Sequence, residues 1–336
     1  MKKTVILLLA LACYCTGFSQ DTFSIIAVDP ATGEIGSAGA SCLDGSGNFG
    51  GIIDIITTII PGRGGVNSQA YVCIPNVNLA NAITQMQGGA SPSEIIDYLM
   101  NNDACSSQNF NPQFRQYGIA DFDTAGNPRT AGFTGSLTDD YKEDRQGATY
   151  SVQGNILLNQ TVLDNMENNF NTTSGTLADK LMAAMQGANF AGADSRCLAR
   201  GTSSTTAYML VYRENDAMSD PYLRLNIEEM PFGEEPIDSL QVLYDNFLGV
   251  EQFDLKEAVR VFPNPARDFI TVNHQNGVVL KKLSIYDVNG SVVLSKQNFD
   301  GTANSETMHI ATLGKGIYFL TVESVRGSVT FKFVKD

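Results

Sequence analysis

Apolar, β-branched and aromatic residues crowd Thr22–Asp29 (TFSIIAVD), a D-P-A-T-G turn follows, and Glu34–Ser41 (EIGSAGAS) is a run of small residues and glycines. That order predicts a β-hairpin whose second strand is nearly bare of side chains, open to close approach by another backbone or a ligand. Residues 50–61 (GGIIDIITTIIP) read as one long strand, and residues 66–74 as another beyond a glycine turn. The period then lengthens. Leu79, Ala82, Ile83 and Met86 fall at helical spacing ahead of Gly88 and Gly89. Ser91, Pro92 and Glu94 form an S-x-x-E box that opens a second helix burying Ile95, Ile96 and Leu99.

Strands return at residues 116–121 and 129–134, then an acidic loop over 136–146 and a strand over 150–156 (YSVQGNI). Val162, Leu163, Met166 and Phe170 make one amphipathic helix; Leu177, Leu181, Met182 and Met185 make another. Both stripes are core faces. A polar loop at 192–204 feeds a strand at Thr206–Tyr212, and a strand at 222–228 precedes a helix opened by Pro236, with Ile237, Leu240, Leu243 and Phe247 on one side. Strands, two helices, strands, two helices, strands: this order suits antiparallel sheets covered by helix pairs better than a parallel βαβ repeat. From residue 258 the pattern is all β, punctuated by Asn276-Gly277, Asn289-Gly290 and Arg326-Gly327. Asn-Gly between apolar runs is a strong hairpin signal, and a small β-sandwich is the natural architecture.

Charge marks the same division. Residues 21–257 carry 11 Lys and Arg against 30 Asp and Glu, net −19, whereas residues 258–336 carry 9 against 6, net +3. The acidic part argues against a nucleic-acid partner, which requires clustered cations. Both histidines, His274 and His309, lie in the second part. A Ser-His-Asp triad, a Cys-His pair and an H-E-x-x-H zinc site are therefore excluded from the first. The bases that remain there are carboxylates, lysines, tyrosines or an α-amine.

Residues 1–19 open with Lys2 and Lys3, run apolar through VILLLALACYC and place Gly17 and Ser19 at the −3 and −1 positions of a signal-peptide cut before Gln20. With that ending the segment is too short to span a membrane. Lipidation at Cys13 is the alternative, although Ala10 stands where a lipobox usually has Leu. Export leaves Cys42, Cys73, Cys105 and Cys197, an even number that suggests bridges in an oxidising compartment. Of the three connectivities the expected one joins Cys42 to Cys73, at corresponding ends of neighbouring strands, and Cys105 to Cys197, in two polar loops; buried thiols are the alternative. No cysteine or histidine spacing supports zinc, and Asp139, Asp140, Glu143 and Asp144 read as a solvated loop, so neither metal nor cofactor is expected.

The segments TFSIIAVDPATGEIGSAGAS, GRGGVNSQAYV, RQYGIADFDTAGNPRTAGFTG, YSVQGNILLNQTVLDNMENNF, GADSRCLARGTSSTTAYMLVYR and YLRLNIEEMPFGEEPIDSLQVLYDNF resemble successive blocks of domain of unknown function 1028, grouped with the N-terminal-nucleophile (Ntn) hydrolases. The resemblance implies an α+β fold, a four-layer αββα sandwich. It also implies chemistry in which the first residue of the mature chain attacks an amide carbonyl while its own α-amine, of pKa about 7.7 to 8.0, takes the proton. Thr22 is then the nucleophile. A cut before Gln20 leaves Gln20 and Asp21 ahead of it, so a second trim is needed.

Further site candidates lie in the matching blocks. Gln153 and Asn155 offer amide donors for an oxyanion or a substrate carbonyl. Asp194 and Arg196 would orient a charged group or pair with each other, and Ser68 and Gln69 would face the same cleft. Structural, turn-closing roles are the competing reading for each. VFPNPARD, LSIYDVNGSVV, GKGIYFLTV and FKFVKD resemble the type A C-terminal sorting domain of the type IX secretion system of Bacteroidetes-type bacteria. That implies handling by this secretion machinery, then release to the medium or attachment to a surface glycolipid. A carbohydrate-binding role is disfavoured by the absence of tryptophan.

The reading is thus a signal peptide (1–19), an Ntn-hydrolase-like domain (20–249), a linker (250–257) and a sorting domain (258–336). The expected function is secreted hydrolysis of an amide bond in an extracellular or cell-envelope substrate, a small molecule or peptide. The competing class is a non-catalytic binding or structural protein. Self-association into a homo-oligomer is compatible with either.

Overall fold

A computed structural model describes residues 22–275, 278–297, 299, 304–324 and 327–336, without the side chains of 249–254. The signal peptide, Gln20, Asp21, the Asn276-Gly277 turn and Arg326 lie outside the described residues. In chain order come β1 (Thr22–Asp29), β2 (Glu34–Ser41), α1 (Ile53–Ile56), β3 (Thr57–Ile60), β4 (Gly64–Gln69), α2 (Val77–Gln87) and α3 (Pro92–Asn101). Next are β5 (Gln116–Phe122), β6 (Pro128–Thr134), β7 (Glu143–Gln146), β8 (Tyr150–Gly154), α4 (Thr161–Thr172), α5 (Leu177–Gly187), β9 (Thr206–Tyr212), β10 (Leu223–Ile227) and α6 (Pro236–Ala258). The chain closes with β11 (Val259–Phe262), β12 (Phe269–His274), β13 (Leu280–Tyr286), β14 (Val292–Lys296), β15 (Ser305–His309), β16 (Gly316–Ser324) and β17 (Gly327–Lys335). The chain divides into two compact units between Gln241 and Val242, within α6; residues 250–257 continue that helix.

The first unit is α+β. Its antiparallel sheets have the orders β10-β9-β2-β1-β8-β7 and β3-β4-β5-β6. β1, β2 and β8 face β4 and β5, while α4 and α5 cover the outer face of the first sheet and α2 and α3 that of the second. Each helix pair is set by local chemistry. Ser91 caps α3 with a reciprocal Glu94 bond, as the S-x-x-E box predicts, and Thr176 does the same for α5 with Asp179.

The inter-sheet layer is not uniform along the strands. Side chains alternate faces, so β1 sends Thr22, Ser24, Ile26 and Val28 inward: polar at its start, apolar towards its turn. Ile26 and Val28 join Ile35, Ile52, Ile53, Ile56, Ile59, Ala120 and Phe122 in an apolar cluster. At the other end of the same layer the buried residues include Ser24, Asn67, Gln69, Gln116, Gln153 and Asn155.

Several expectations are corrected. Residues 50–61 do not form one strand. Gly50 and Gly51 adopt φ of 72° and 85°, then one helical turn buries Ile53, Ile55 and Ile56 before β3 begins. Four isoleucines flanking a single Asp54 cannot alternate between faces, and the turn sends Asp54 out to Arg224 (2.9 Å). The acidic loop contributes the edge strand β7, paired with β8. The bareness of β2 serves packing: a Cβ on Gly36 would sit 2.6 Å from Leu181 Cδ1, and one on Gly39 2.9 Å from both Ser24 Cβ and Tyr208 Cε1.

The second unit is all β beyond the end of α6. A three-stranded sheet (β11-β12-β15) and a four-stranded sheet (β14-β13-β16-β17) enclose a core including Ile270, Val272, Leu283, Ile285, Leu320, Val322 and Phe333. Asn289-Gly290 makes the β13–β14 hairpin as predicted. Gly290 takes φ 81°, and the Asp287 carboxylate accepts the Asn289 and Ser291 amides, each at 2.9 Å.

Candidate functional site

The polar end of the inter-sheet layer is a connected hydrogen-bond network centred on the start of β1. Ser24 Oγ donates to Gln69 Oε1 (2.6 Å) and accepts from Gln153 Nε2 (2.6 Å) and Asn67 Nδ2 (3.1 Å). Gln69 Nε2 donates to the Thr22 carbonyl (2.8 Å) and to Gln116 Oε1 (2.7 Å). Asn155 donates its backbone N–H to the same Thr22 carbonyl (3.2 Å) and its side-chain amide to Gln116 Oε1 (2.9 Å). Ser37 extends the network, donating to Asn67 Oδ1 (2.8 Å) and lying 2.8 Å from the Tyr208 hydroxyl. Burial pushes that hydroxyl above the ordinary tyrosine range, so it stays neutral.

One acceptor is left over. Asn155 Oδ1 is buried with no hydrogen-bond partner among the described residues. The amide orientation follows from the network: Gln116 Nε2 donates to the Gly154 carbonyl (2.9 Å) and to Thr134 Oγ1 (2.9 Å), which turns Gln116 Oε1 towards Asn155 and demands its donor there. Oδ1 therefore faces elsewhere. An unpaired buried acceptor costs about 1–3 kcal/mol and asks for an N–H or O–H donor.

The backbone around this end is strained. Ala70 and Tyr71, directly after β4, adopt φ of 62° and 47°, and Ile156, directly after Asn155, adopts 52°. A β-branched residue at positive φ is an outlier that the surroundings must enforce. Here they do: Ile156 N–H donates to the Asp139 carbonyl (3.1 Å) and its carbonyl accepts from Ser195 N–H (2.9 Å). Beyond Tyr71, Arg115 and Asp103 form an ion pair at 2.9 Å with both side chains 1% exposed. Arg115 Nη2 also donates to the carbonyls of Cys105 (3.1 Å) and Ser107 (2.6 Å).

Of the residues singled out in the sequence, Thr22, Gln69, Gln153 and Asn155 come together. Ser68 does not. Pairing with the opposite parity from Gln69, it points its hydroxyl at Asn76 (3.4 Å), the cap of α2. Asp194 and Arg196 pair with each other, Nη2 to Oδ2 at 2.6 Å, and Asp194 also accepts the Cys42 amide (2.8 Å). Gln153 and Asn155 commit their amide donors inside the network. Ser24, Asn67 and Gln116 are additional members. For Ser24 and Asn67 the signal was a second polar residue two positions away in a buried strand, Thr22 and Gln69; Gln116, two before Gly118, carried none.

The expected disulfide connectivity is overturned. The bridges join Cys42 to Cys197 and Cys73 to Cys105, with Cα separations of 5.7 and 5.6 Å. Cys42 follows β2 in the six-stranded sheet and Cys73 lies beyond β4 in the four-stranded sheet, so their strands are not neighbours. The Asp194 bond to Cys42 draws Cys197 in. Tyr71 O accepts from the Ser107 hydroxyl (2.7 Å), which brings Cys105 to Cys73.

A cavity of about 450 Å³ lies at the opposite end of the sandwich, lined by turn residues including Thr32, Gly33, Gly62, Asp123 and Glu214. Among the described residues no helix is long and apolar enough to cross a membrane, and no group of three or more His, Cys, Asp or Glu is placed to hold a metal ion.

Comparison with known proteins adds three findings. Residues 260–336 match the secretion system C-terminal sorting domain. This supports engagement with the type IX secretion machinery and export to the extracellular space or cell surface. A crystal structure from Silicibacter pomeroyi, of a protein with the family model DUF1028, is similar with a TM-score of 0.52 at 24% identity, covering 67% of this chain and 88% of that one. At that identity the likeness speaks for the fold. No curated protein matches. Residues 22–240, more than half of the chain, match the family of unknown function DUF1028, so the protein belongs to that family and carries a secretion sorting domain behind it.

Proposed function

We propose that residues 22–240 act as a secreted N-terminal-nucleophile amide hydrolase with Thr22 as nucleophile, once removal of the preceding residues makes Thr22 the first residue. The observation that carries this reading is the buried, unpartnered Oδ1 of Asn155, whose own N–H holds the Thr22 carbonyl. A new α-amine at Thr22, or a substrate N–H seated there, would supply the donor it asks for. Two donors on that carbonyl, from Gln69 and Asn155, hold the residue in place.

The chemistry needs no imidazole. The amine takes the proton from Thr22 Oγ1 as the oxygen attacks the amide carbon, then gives it to the leaving nitrogen; water cleaves the resulting ester and restores the hydroxyl. Gln153 and Asn155 act as positioning residues, because their amide donors are committed to Ser24 and Gln116. The strained backbone at Ala70, Tyr71 and Ile156 supports a functional role for this end.

A non-catalytic binding role is favoured by one observation: Thr22 is 1% exposed and sits in register opposite Ser41 as an ordinary strand residue. Mass spectrometry of the exported protein's N-terminus, with amide turnover by wild type and Thr22→Ala, decides between them. A mature chain starting at Thr22 whose turnover is lost in Thr22→Ala supports the hydrolase. A chain retaining Gln20 or Asp21 and cleaving nothing supports the binding role.

A further inference from the structure

Tracing each strand shows that residues 42–56, 70–76, 102–115, 135–142, 155–160, 188–205 and 228–235 all leave the sandwich at the end where β1 begins. The large exposed apolar side chains of the first unit concentrate on them. On the lip contributed by the four-stranded sheet stand Phe110 (55% exposed) and Leu137 (48%); on the lip of the six-stranded sheet stand Leu158 (41%), Leu198 (53%) and Phe232 (71%), with Phe49 (42%) on the segment joining the two sheets. The two lips are tied together by hydrogen bonds. Ile156 N–H donates to Asp139 O, and Leu157 N–H to Tyr141 O. Thr22 lies in the seam between them, under Gln69 of one sheet and Asn155 of the other.

The cations of this rim are internally spent, and exposed carboxylates such as Glu228 and Glu234 are left over. Its four cations are Arg115, Lys142, Arg196 and Arg200, and each faces a carboxylate of its own: Asp103, Asp140, Asp194 and Asp44. Asp139 accepts from the Tyr71 hydroxyl (2.6 Å), and Glu229 accepts the amides of Gly45 and Gly47. An acidic substrate group would have to break one of these pairs. An apolar group covers exposed side chains instead, at about 25 cal/mol per Å² removed from water.

We propose that the seam takes an extended peptide segment, free of acidic groups, with apolar side chains on both sides of the bond to be cut. This rests on the hydrolase reading and names its substrate class. A peptide is favoured over a long acyl chain because the apolar groups are six separate side chains spread over the two lips and the segment joining them. A long acyl chain needs one enclosed apolar channel, whereas separate side chains suit successive residues of an extended strand.

The test uses exported full-length protein and internally quenched decapeptides carrying Leu and Phe, Asp, or Lys at the positions flanking the central bond. Cleavage is followed by fluorescence, and binding to Thr22→Ala by anisotropy. The Leu and Phe peptide is expected to be cut with kcat/KM about tenfold or more above the charged ones. Leu158→Ser and Phe110→Ser, both at exposed positions, are expected to lower that value several-fold through KM with the melting temperature unchanged. Equal rates on all three peptides, or cleavage of a small anilide but of no peptide, overturn the substrate class and leave the hydrolase reading standing. Selective binding of the apolar peptide without cleavage overturns the hydrolase reading and keeps the apolar seam. Neither binding nor cleavage overturns both.

Discussion

The two ends of the front sandwich are built on opposite principles. At the turn end, β1–β2 and β5–β6 close through short turns whose polar groups are satisfied locally, as where Asp123 accepts the amides of Ala125 and Asn127, each at 2.8 Å. The layer behind those turns is apolar. At the other end long loops carry two disulfides, a fully buried ion pair, six non-glycine residues at positive φ and an inter-sheet layer of serine, asparagine and glutamine. A buried polar layer stabilises less than an apolar one unless every group is paired. The contrast teaches that the turn end supplies stability, whereas the loop end is held in an unfavourable arrangement by covalent and ionic ties.

Cutting those ties should show it. Replacing Cys42 and Cys197 together by Ser removes a bridge spanning 155 residues and is expected to cost about 5 kcal/mol by loop-closure entropy; the bridge spanning 32 residues, Cys73 to Cys105, should cost about 4 kcal/mol. Urea unfolding of the two variants checks both, and no loss in either case would break the comparison. Asp103→Asn leaves the Arg115 guanidinium buried without its counter-charge, with an expected loss of about 3 kcal/mol in the same measurement.

Two glycines sharpen the contrast at smaller scale. A Cβ on Gly118 would lie 1.9 Å from Gln153 Oε1, so Gly118→Ala must push Gln153 off Ser24, costing about 2 kcal/mol, and on the hydrolase reading it lowers turnover as well. Gly126, in the β5–β6 turn, has φ 82° and open space around its Cβ position, so Gly126→Ala should cost only about 1 kcal/mol of backbone strain and leave turnover unchanged.

The smallest effect is a pH dependence at the turn end. Burial raises the Glu34 carboxyl above its ordinary 4.5, against the opposing pull of Arg213. The folded state therefore holds this proton more tightly than the unfolded chain. Its contribution to stability is fully present below about pH 4.5 and is lost as pH rises through the folded value. Thermal melts of Glu34→Gln across that window should lack this component, and an unchanged profile would contradict the assignment.

Local signals carried much of this architecture. The Ser91 and Glu94 box, the Asn289-Gly290 turn and the helical stripes of α4 and α5 each act over a few residues, and each appears where the pattern placed it. The run at 50–61 was misread because isoleucine favours strands while the two glycines and the buried cluster impose a helical turn. Half of the candidate site was legible as polar residues two apart in buried strands. Ser68 shows why the rest was not: it sits beside Gln69 in sequence and faces the other side of the sheet.

From the sequence alone follow the acidic, histidine-free front part, the basic β-only tail with its export role, and the kinds of elements in each. These depend on composition and on neighbours along the chain. Which cysteines bridge, which strands face each other, and which amides converge on Thr22 were decided only by the tertiary structure. Those are contacts between residues 32 to 155 positions apart, and the chain encodes them through the packing of whole sheets.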